Sequence, residues 1–407
     1  RRMATTSTED RTSDRLYAAR ARGNLRRVGL SSESIQRFLG EVVEDDLHVK
    51  TILSLSNAVL GVLHSASLCI HVIGRAYGWV TDHDGKHGVK QVDRLLSNAK
   101  ISPWLLSRSW IEMLLGPREE VLVALDWTDF DKDDHTTLVA SLITNHGRAT
   151  PMVWKTVKKT TLAEQRNAHE DELLKHLRAS LPDDVVVTIV ADRGFGDQKR
   201  YQQITALGMH YAIRFRESIF VTDQWGKQLP ASEWLPKSGR ATMLKDVAVT
   251  ADCYVVPAVV LVRDKKMKDA WCIATSRSDK SAPEIVKWYG KRFTIEETFR
   301  DTKNGLLGMG LSSTHIRDEA RRDRLIFIAA IAHMLLTLLG AAGERCGLDR
   351  TLKSNTSKKR QMSLYNQGLH WYMAIPGMRE ERLRLLIGAY GDVLKERALT
   401  RELFGVL

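Results

Sequence analysis

The chain contains 407 residues, with 61 Lys and Arg against 49 Asp and Glu and a net charge of +12 at pH 7. Because a single hydrophobic core stops growing at roughly 250–300 residues, this length excludes one small module and predicts several structural units. The positive charge favours a polyanionic partner, either nucleic acid or an anionic membrane surface.

Short motifs exclude further classes of protein. The four cysteines form no C-x-x-C pair, so the sequence indicates neither a zinc knuckle nor a disulfide framework, and it suits a reducing cytoplasm. The glycine-rich loops that bind nucleotides do not occur, so no nucleotide cofactor is expected. Residues 1–14 are polar and lack the apolar stretch of a secretory signal, which predicts a disordered or DNA-contacting arm.

The first part of the chain has a helical pattern. Over residues 31–115 apolar side chains recur every three to four positions, and turn signals divide the segment into several short helices. Lys86, Lys90, Arg94 and Lys100 favour DNA binding, so we predict a helical N-terminal DNA-binding domain. A helical dimerisation or covering domain stays open as the alternative, because no pair of helices has the pattern of a helix-turn-helix.

The pattern changes to strands after Pro117. Three strands are predicted at residues 121–125, 138–143 and 150–157, followed by a helix at residues 163–180 and a further strand at residues 185–190. Asp126 and Asp192 follow two of these strands, so both are expected at strand ends. This order is typical of an α/β ribonuclease-H-like core, whose central sheet mixes parallel and antiparallel strands.

The rest of the chain completes the predicted domain organisation. Residues 209–276 are β-rich, with strands predicted at residues 211–221, 246–254, 259–263 and 271–275, and read as an insertion inside the core. Helices then return, with a last amphipathic helix at residues 379–398. Residues 1–118 are the predicted N-terminal domain. The predicted core has a first part at residues 119–208 and a second part at residues 277–345, with the insertion at residues 209–276 between them. Residues 346–407 are a predicted helical C-terminal region.

One segment has the composition of a membrane span. Residues 325–342 are nearly all apolar, but they contain His333 and Thr337, and the sequence has no second segment of this kind. We therefore predict a buried core helix and no membrane partner.

The helix after the insertion carries a polar stripe. Its start is marked by Ser281 and Glu284 with a proline between them, the spacing of a capping box. At about 100° per residue, one continuous helix brings four side chains to one narrow face. These are Tyr289, Arg292, Glu296 and Lys303. Such a stripe suits a binding site, although a solvated face with an Arg292–Glu296 ion pair has the same spacing.

Three carboxylates from three elements fit a two-metal site. Phosphoryl transfer with two divalent cations needs several carboxylates converging on ions about 3.5–4 Å apart. Asp126, Asp192 and Glu296 are the predicted set, with Asp129 as the alternative to Asp126. Glu297 adjoins Glu296 but points about 100° away from the stripe.

These motifs resemble the bacterial transposases of the insertion-sequence-four type, members of the DDE superfamily. Their Tyr-x2-Arg-x3-Glu-x6-Lys signature is matched from Tyr289 to Lys303, and the contexts L-D-W-T at Asp126 and A-D-R-G-F at Asp192 look like those of their two aspartates. The resemblance covers residues 121–303 and extends loosely to the flanking helices.

The resemblance implies an activity and a set of partners. It implies a cut-and-paste transposase that binds terminal inverted repeats and target DNA, forms a homodimer on the DNA, and acts in the bacterial cytoplasm at the nucleoid. Two Mg²⁺ or Mn²⁺ ions would be held by Asp126, Asp192 and Glu296. The phosphate and strand contacts would come from Tyr289, Arg292, Lys303 and Arg193.

The insertion has its own implied role. In relatives of this architecture a strand tryptophan stacks on a flipped base and helps form a DNA hairpin at the transposon end, and Trp271 resembles it. A core position is the alternative for this residue. Two other functions stay open: a metal-dependent DNA nuclease of the same fold, and a catalytically silent DNA-binding regulator.

Overall fold

The computed structural model describes residues 23–43, 45–305 and 308–395. These residues form two compact units, one of residues 23–116 with 300–395 and the other of residues 117–299. The expected N-terminal arm, residues 1–14, lies outside the described residues. The first unit is helical and the second is a sheet with helices, which agrees with a mixed α/β chain.

The second unit is built on one ten-stranded sheet in the order β3-β2-β1-β4-β5-β10-β9-β8-β6-β7. Strands β1, β2 and β3 are antiparallel neighbours, β4 runs parallel to β1, and β5 runs parallel to β4. The remaining pairs are antiparallel. The strands are β1 Glu120–Phe130, β2 His135–Ile143, β3 Ala149–Lys158, β4 Val186–Ala191, β5 His210–Phe215, β6 Phe220–Thr222, β7 Gln228–Pro230, β8 Thr242–Val249, β9 Tyr254–Val262 and β10 Trp271–Thr275.

The parallel pairing of β1 and β4 positions two acidic residues. Both strands begin as buried apolar runs, and their register sets Leu125 beside Ala191. Asp126 and Asp192, the residues that come next in the chain, therefore lie side by side. Asp192 directly follows β4 as predicted. Asp126 does not end its strand, because β1 continues beside β2 to Phe130.

Strands from residues 209–276 extend the same sheet. The strand expected at 211–221 is two strands, β5 and β6, separated by a turn. The strand expected at 246–254 was also wrong, since Thr250 and Cys253 take positive φ values of 70° and 52° and reverse the chain between β8 and β9. β10 has the predicted bounds.

Four helices accompany this sheet in the chain: α6 Leu162–Ser180, α7 Gln198–Ala206, α8 Ala282–Lys291 and α9 Thr294–Lys303. The buried face of α8 packs Ile285, Trp288 and Tyr289 against sheet residues such as Val190 and Ile273. The predicted capping box is present, with Glu284 accepting the backbone N–H of Ser281 at 2.9 Å. The start of α8 is thus fixed by its own sequence.

The helical unit surrounds one long apolar helix. Its helices are α1 Ser32–Val43, α2 Val49–Ser65, α3 Ile70–Thr81, α4 Gly85–Ser97, α5 Ser107–Leu115, α10 Glu319–Arg345, α11 Leu364–Ala374 and α12 Glu380–Lys395. The chain beyond residue 395, where α12 was expected to continue to 398, lies outside the described residues.

Helix α10 is long and apolar enough to cross a membrane by length and composition, but its apolar stretch is completely buried within the unit. It packs closely against α11, where a Cβ atom at Gly340 would lie only 1.9 Å from the carbonyl oxygen of Leu364. A side chain at position 340 would therefore push the two helices apart. Burial of this kind is what the sequence predicted for a core helix.

Candidate active site

The site is formed by Asp126 on β1, Asp192 after β4, and Glu296 on α9. Arg292 joins two of these carboxylates, with Nη1 3.2 Å from Asp126 Oδ2 and Nη2 2.7 Å from Glu296 Oε1. Asp192 adjoins Asp126 through the parallel register of their strands. We call Asp126, Asp192 and Glu296 the carboxylate site.

The three carboxylates influence one another electrostatically. Burial and the negative charges of Asp192 and Glu296 together raise the pKa of Asp126 to about 6, against the opposing effect of Arg292. The Asp126 side chain is 19% exposed and that of Glu296 is 47% exposed. The site is therefore partly open to solvent, and its three carboxylates outnumber the one guanidinium that joins two of them.

Arg292 is the buried counterion of this site, with a side chain only 6% exposed. Burial opposes its charge, but Tyr289, Asp126 and Glu296 outweigh that effect and raise the pKa of the guanidinium. The guanidinium also lies 4.7 Å from the ring centre of Phe293. Its charge and orientation are thus fixed by Asp126, Glu296 and the Phe293 ring.

The polar stripe is not one continuous helix. Helix α8 ends at Lys291 and α9 begins at Thr294, where the Thr294 hydroxyl donates to the Lys291 carbonyl at 2.8 Å. The prediction of a single helical face was wrong for this reason. Arg292 lies in the break and still reaches Glu296, which is on the first turn of α9.

Tyr289 and Trp271 pack against each other. Tyr289 is 1% exposed and meets the half-buried Trp271 edge to face, with ring centres 4.8 Å apart. Burial raises the pKa of Tyr289, and Arg214 on β5 hydrogen-bonds to it. Tyr289 therefore occupies an interior position, and its predicted contact with a phosphate stays a prediction.

Two further residues were predicted to contact DNA, Arg193 and Lys303. The carboxylate of Asp192 accepts the backbone N–H of Gly194 at 2.8 Å. Arg193 is exposed, and the described part of the chain shows no ion pair to it. Lys303 is half-buried at the C-terminal end of α9, beyond residue 299, the last residue of the sheet unit before the chain enters the helical one. Their predicted roles in DNA binding are untested.

The acidic residues after Asp126 have other partners. Asp129 and Asp131 both pair with Lys159, at 2.8 Å and 2.5 Å. Asp134 accepts a hydrogen bond from the Thr160 hydroxyl at 2.8 Å. These contacts favour Asp126 over Asp129 as the member of the site.

A family model supplies the deciding comparison: the transposase DDE domain matches residues 118–335. The chain belongs to this family. The match begins two residues before β1 and contains all three members of the carboxylate site. Comparison with curated proteins gave no match. Membership supports a transposase function of the DDE type, with DNA as the partner.

Transposases of this family generally use divalent metal ions. Carboxylate oxygens are the ligands that Mg²⁺ and Mn²⁺ prefer, so the chemistry of the donors fits. Among the residues that the structure describes, however, no three His, Cys, Asp or Glu side chains are arranged so that they could bind one metal ion. Arg292 lies between Asp126 and Glu296. These carboxylates would have to exchange that guanidinium for a cation.

Sequence reasoning missed Arg214. It lies in the mostly buried strand β5, where it hydrogen-bonds to Tyr289 and to the carbonyl oxygen of Ala270 at 2.9 Å. The available signal was a charged residue within an otherwise apolar and aromatic strand, Tyr-Ala-Ile-Arg-Phe. A charge in such a strand needs a partner, so its presence indicates a specific contact.

Proposed function

We propose that this chain is a DNA transposase of the insertion-sequence-four type, which cleaves transposon ends and joins them to target DNA. The observation that carries the proposal is the proximity of Asp126 to Asp192 and Glu296, with Arg292 joining Asp126 to Glu296. Such a set of carboxylates is what metal-dependent phosphoryl transfer requires.

Each of the proposed site residues has a separate role. Asp126, Asp192 and Glu296 would hold two Mg²⁺ or Mn²⁺ ions, which when bound activate the attacking hydroxyl and stabilise the leaving oxygen. Arg292 orients two of the three carboxylates, and its planar fork also suits a phosphate that enters the site. Arg193, which is exposed beside Asp192, would contact the backbone of a DNA strand.

The architecture supports the same proposal. We assign a ribonuclease-H-like core to residues 119–208 and 277–345, since β1 to β4 form a mixed sheet in the order 3-2-1-4. Residues 209–276 are the proposed insertion, whose six strands, β5 to β10, continue the sheet from β4. Residues 1–118 and 346–407 are the proposed helical N-terminal and C-terminal regions.

Trp271 is the proposed base-stacking residue of the insertion. Its ring is half-buried and lies 6.0 Å from that of Phe293, which is 39% exposed. Stacking on an exposed aromatic surface can offset the few kcal/mol that flipping a base costs. A hairpin intermediate is the step that this residue would serve.

A groove in the helical unit supports DNA binding there. Lys50 on α2 and His87, Lys90 and Arg94 on α4 line a cavity of about 680 Å³ together with polar side chains and no acidic one. We call these four residues the basic groove. Asp93, the acid on α4 nearest to them in sequence, pairs with Arg321 instead, at 2.6 Å. The groove suits the phosphates of duplex DNA.

The test uses the full chain, Mg²⁺, a labelled duplex that ends in the terminal repeat of the element encoding the chain, and a target plasmid. We expect cleavage at the repeat, joined product and a paired-end complex that contains two protein copies. Cleavage without joined product would identify a nuclease instead. Specific binding of the repeat without cleavage, at any Mg²⁺ or Mn²⁺ concentration, would identify a silent regulator.

A further inference from the structure

A buried carboxylate outside the carboxylate site connects the segments that carry its two aspartates. Glu170, on α6, has a side chain that is 2% exposed. Its Oε1 accepts hydrogen bonds from Trp127 Nε1 at 2.8 Å and from Arg166 Nε at 3.0 Å, and its Oε2 accepts one from Arg200 Nη2 at 2.7 Å. A buried charge left without such partners would be costly, so Glu170 fixes all three donors.

The first donor leads to Asp126. Trp127 is the next residue in β1, and its backbone N–H donates to Asp126 Oδ1 at 2.9 Å. The indole N–H of the same residue donates to Glu170 on α6. The rotation of the β1 backbone at Asp126 is thereby coupled to the position of Glu170.

The second donor leads to Asp192. The Arg166 guanidinium lies 5.7 Å from the ring centre of Trp127 and 5.8 Å from that of Phe195, in the turn after Asp192. A Cβ atom at Gly194 would lie 3.5 Å from Arg166 Nη2, and the Gly194 N–H donates to Asp192. Arg166 therefore bridges the two segments that end in the carboxylate site.

The third donor fixes the helix that follows this turn. Arg200, on α7, is 3% exposed and also bonds to Asp171, beside Glu170 on α6. Asp197 caps α7 by accepting two backbone N–H groups, those of Lys199 and Arg200. The turn that contains Asp192 is thus anchored on both sides.

We propose that Glu170 is a positioning residue, which sets the distance between the carboxylates of Asp126 and Asp192 through Trp127, Arg166 and Arg200. The inference rests on the proposed function, because that distance matters only if the two carboxylates share a cation. Groups that hold metal ligands from behind typically affect metal affinity by about 10–100-fold when they are changed.

The test compares Glu170→Gln with Glu164→Gln, an exposed glutamate on the same helix. Mn²⁺ binding to the full chain without DNA is measured by calorimetry, beside the Mn²⁺ concentration that gives half-maximal cleavage and the temperature of unfolding. We expect Glu170→Gln to weaken Mn²⁺ binding about 10–100-fold, with cleavage recovering as Mn²⁺ is raised, and Glu164→Gln to match the unchanged chain.

Trp127→Phe is the milder variant, since it keeps a ring beneath Arg166 and removes only the donor to Glu170. It should weaken Mn²⁺ binding in the same direction by a smaller factor, and it decides the question if Glu170→Gln does not fold. Unchanged Mn²⁺ affinity in both variants, with or without a lower unfolding temperature, would overturn the role of Glu170 alone. An unchanged chain that neither binds Mn²⁺ nor cleaves would overturn this role together with the proposed function.

Discussion

The carboxylate site and the basic groove use charge in opposite ways. At the carboxylate site the charges are partly or fully buried and contact one another, so that Arg292 is held by Asp126 and Glu296. At the basic groove Lys50, Lys90 and Arg94 are exposed, and no acidic residue lines the cavity. The contacts in the carboxylate site fix the positions of its side chains, which catalysis requires. The exposed cations of the basic groove can instead bind a polyanion at little cost in desolvation of their own charges.

Removing one acid of the carboxylate site should give the largest difference between the two regions, because cleavage should be lost while duplex binding persists. We expect Asp192→Asn or Glu296→Gln to lower the rate of end cleavage by about 10³-fold or more, because the missing oxygen ligand stabilised the transition state. Duplex binding should change less than about threefold, since it depends on the groove. Asp129→Asn is the matched control, as Asp129 pairs with Lys159. Equal losses in Asp129→Asn and Asp192→Asn would contradict the assignment.

Arg292→Ala is expected to have the next largest effect, in opposite directions on two measurements. Cleavage should fall by about 100-fold, because two carboxylates lose the group that orients them. Mn²⁺ affinity should rise by about 3–10-fold, because a positive charge 3.2 Å from Asp126 is gone. A parallel fall of both quantities would show instead that Arg292 only maintains the fold.

In the basic groove, the double variant Lys90→Ala and Arg94→Ala should weaken duplex binding by about 10–30-fold at low salt. The slope of log affinity against log salt should decrease by about two, one for each lost phosphate contact. Arg108→Ala is the control, since this exposed arginine of the same unit pairs with Glu112. An unchanged salt slope in the double variant would place the DNA elsewhere.

The smallest effect concerns stability. The pKa of Asp126 in the folded chain is about 6, against an ordinary value of 3.8, so the folded state binds the proton more tightly. Stability from this group is present below about pH 4 and is lost as the pH rises through 6. At pH 8 the free energy of unfolding of Asp126→Asn, measured with urea, should therefore exceed that of the unchanged chain by on the order of 1–2 kcal/mol. At pH 4 the two free energies should be equal. A variant that is less stable at pH 8 would contradict this.

Local pattern predicted what local interactions determine. The apolar runs before Asp126 and Asp192, the capping box at Ser281 and the bounds of β10 follow from neighbouring residues, and the structure agrees with each. The break at Arg292 does not follow from periodicity, and the contact that Arg292 makes there with Asp126 joins residues 166 positions apart.

Contacts between distant residues were beyond sequence reasoning. Glu170 lies four residues from Arg166, a spacing that reads as an ordinary ion pair on a helix surface. Its other partners, Trp127 and Arg200, are 43 and 30 residues away, so their convergence is visible only in three dimensions. Tyr289 illustrates the same limit, because its burial comes from Trp271 and the sheet beneath it.

The most direct test of the carboxylate site is anomalous diffraction at the manganese edge, from crystals of the full chain with a bound transposon end and Mn²⁺. The account predicts manganese within about 2.0–2.5 Å of oxygens of Asp126, Asp192 and Glu296, with Arg292 moved from between two of them to a phosphate. Manganese bound elsewhere, with Arg292 still joining Asp126 and Glu296 beside the DNA, would contradict it.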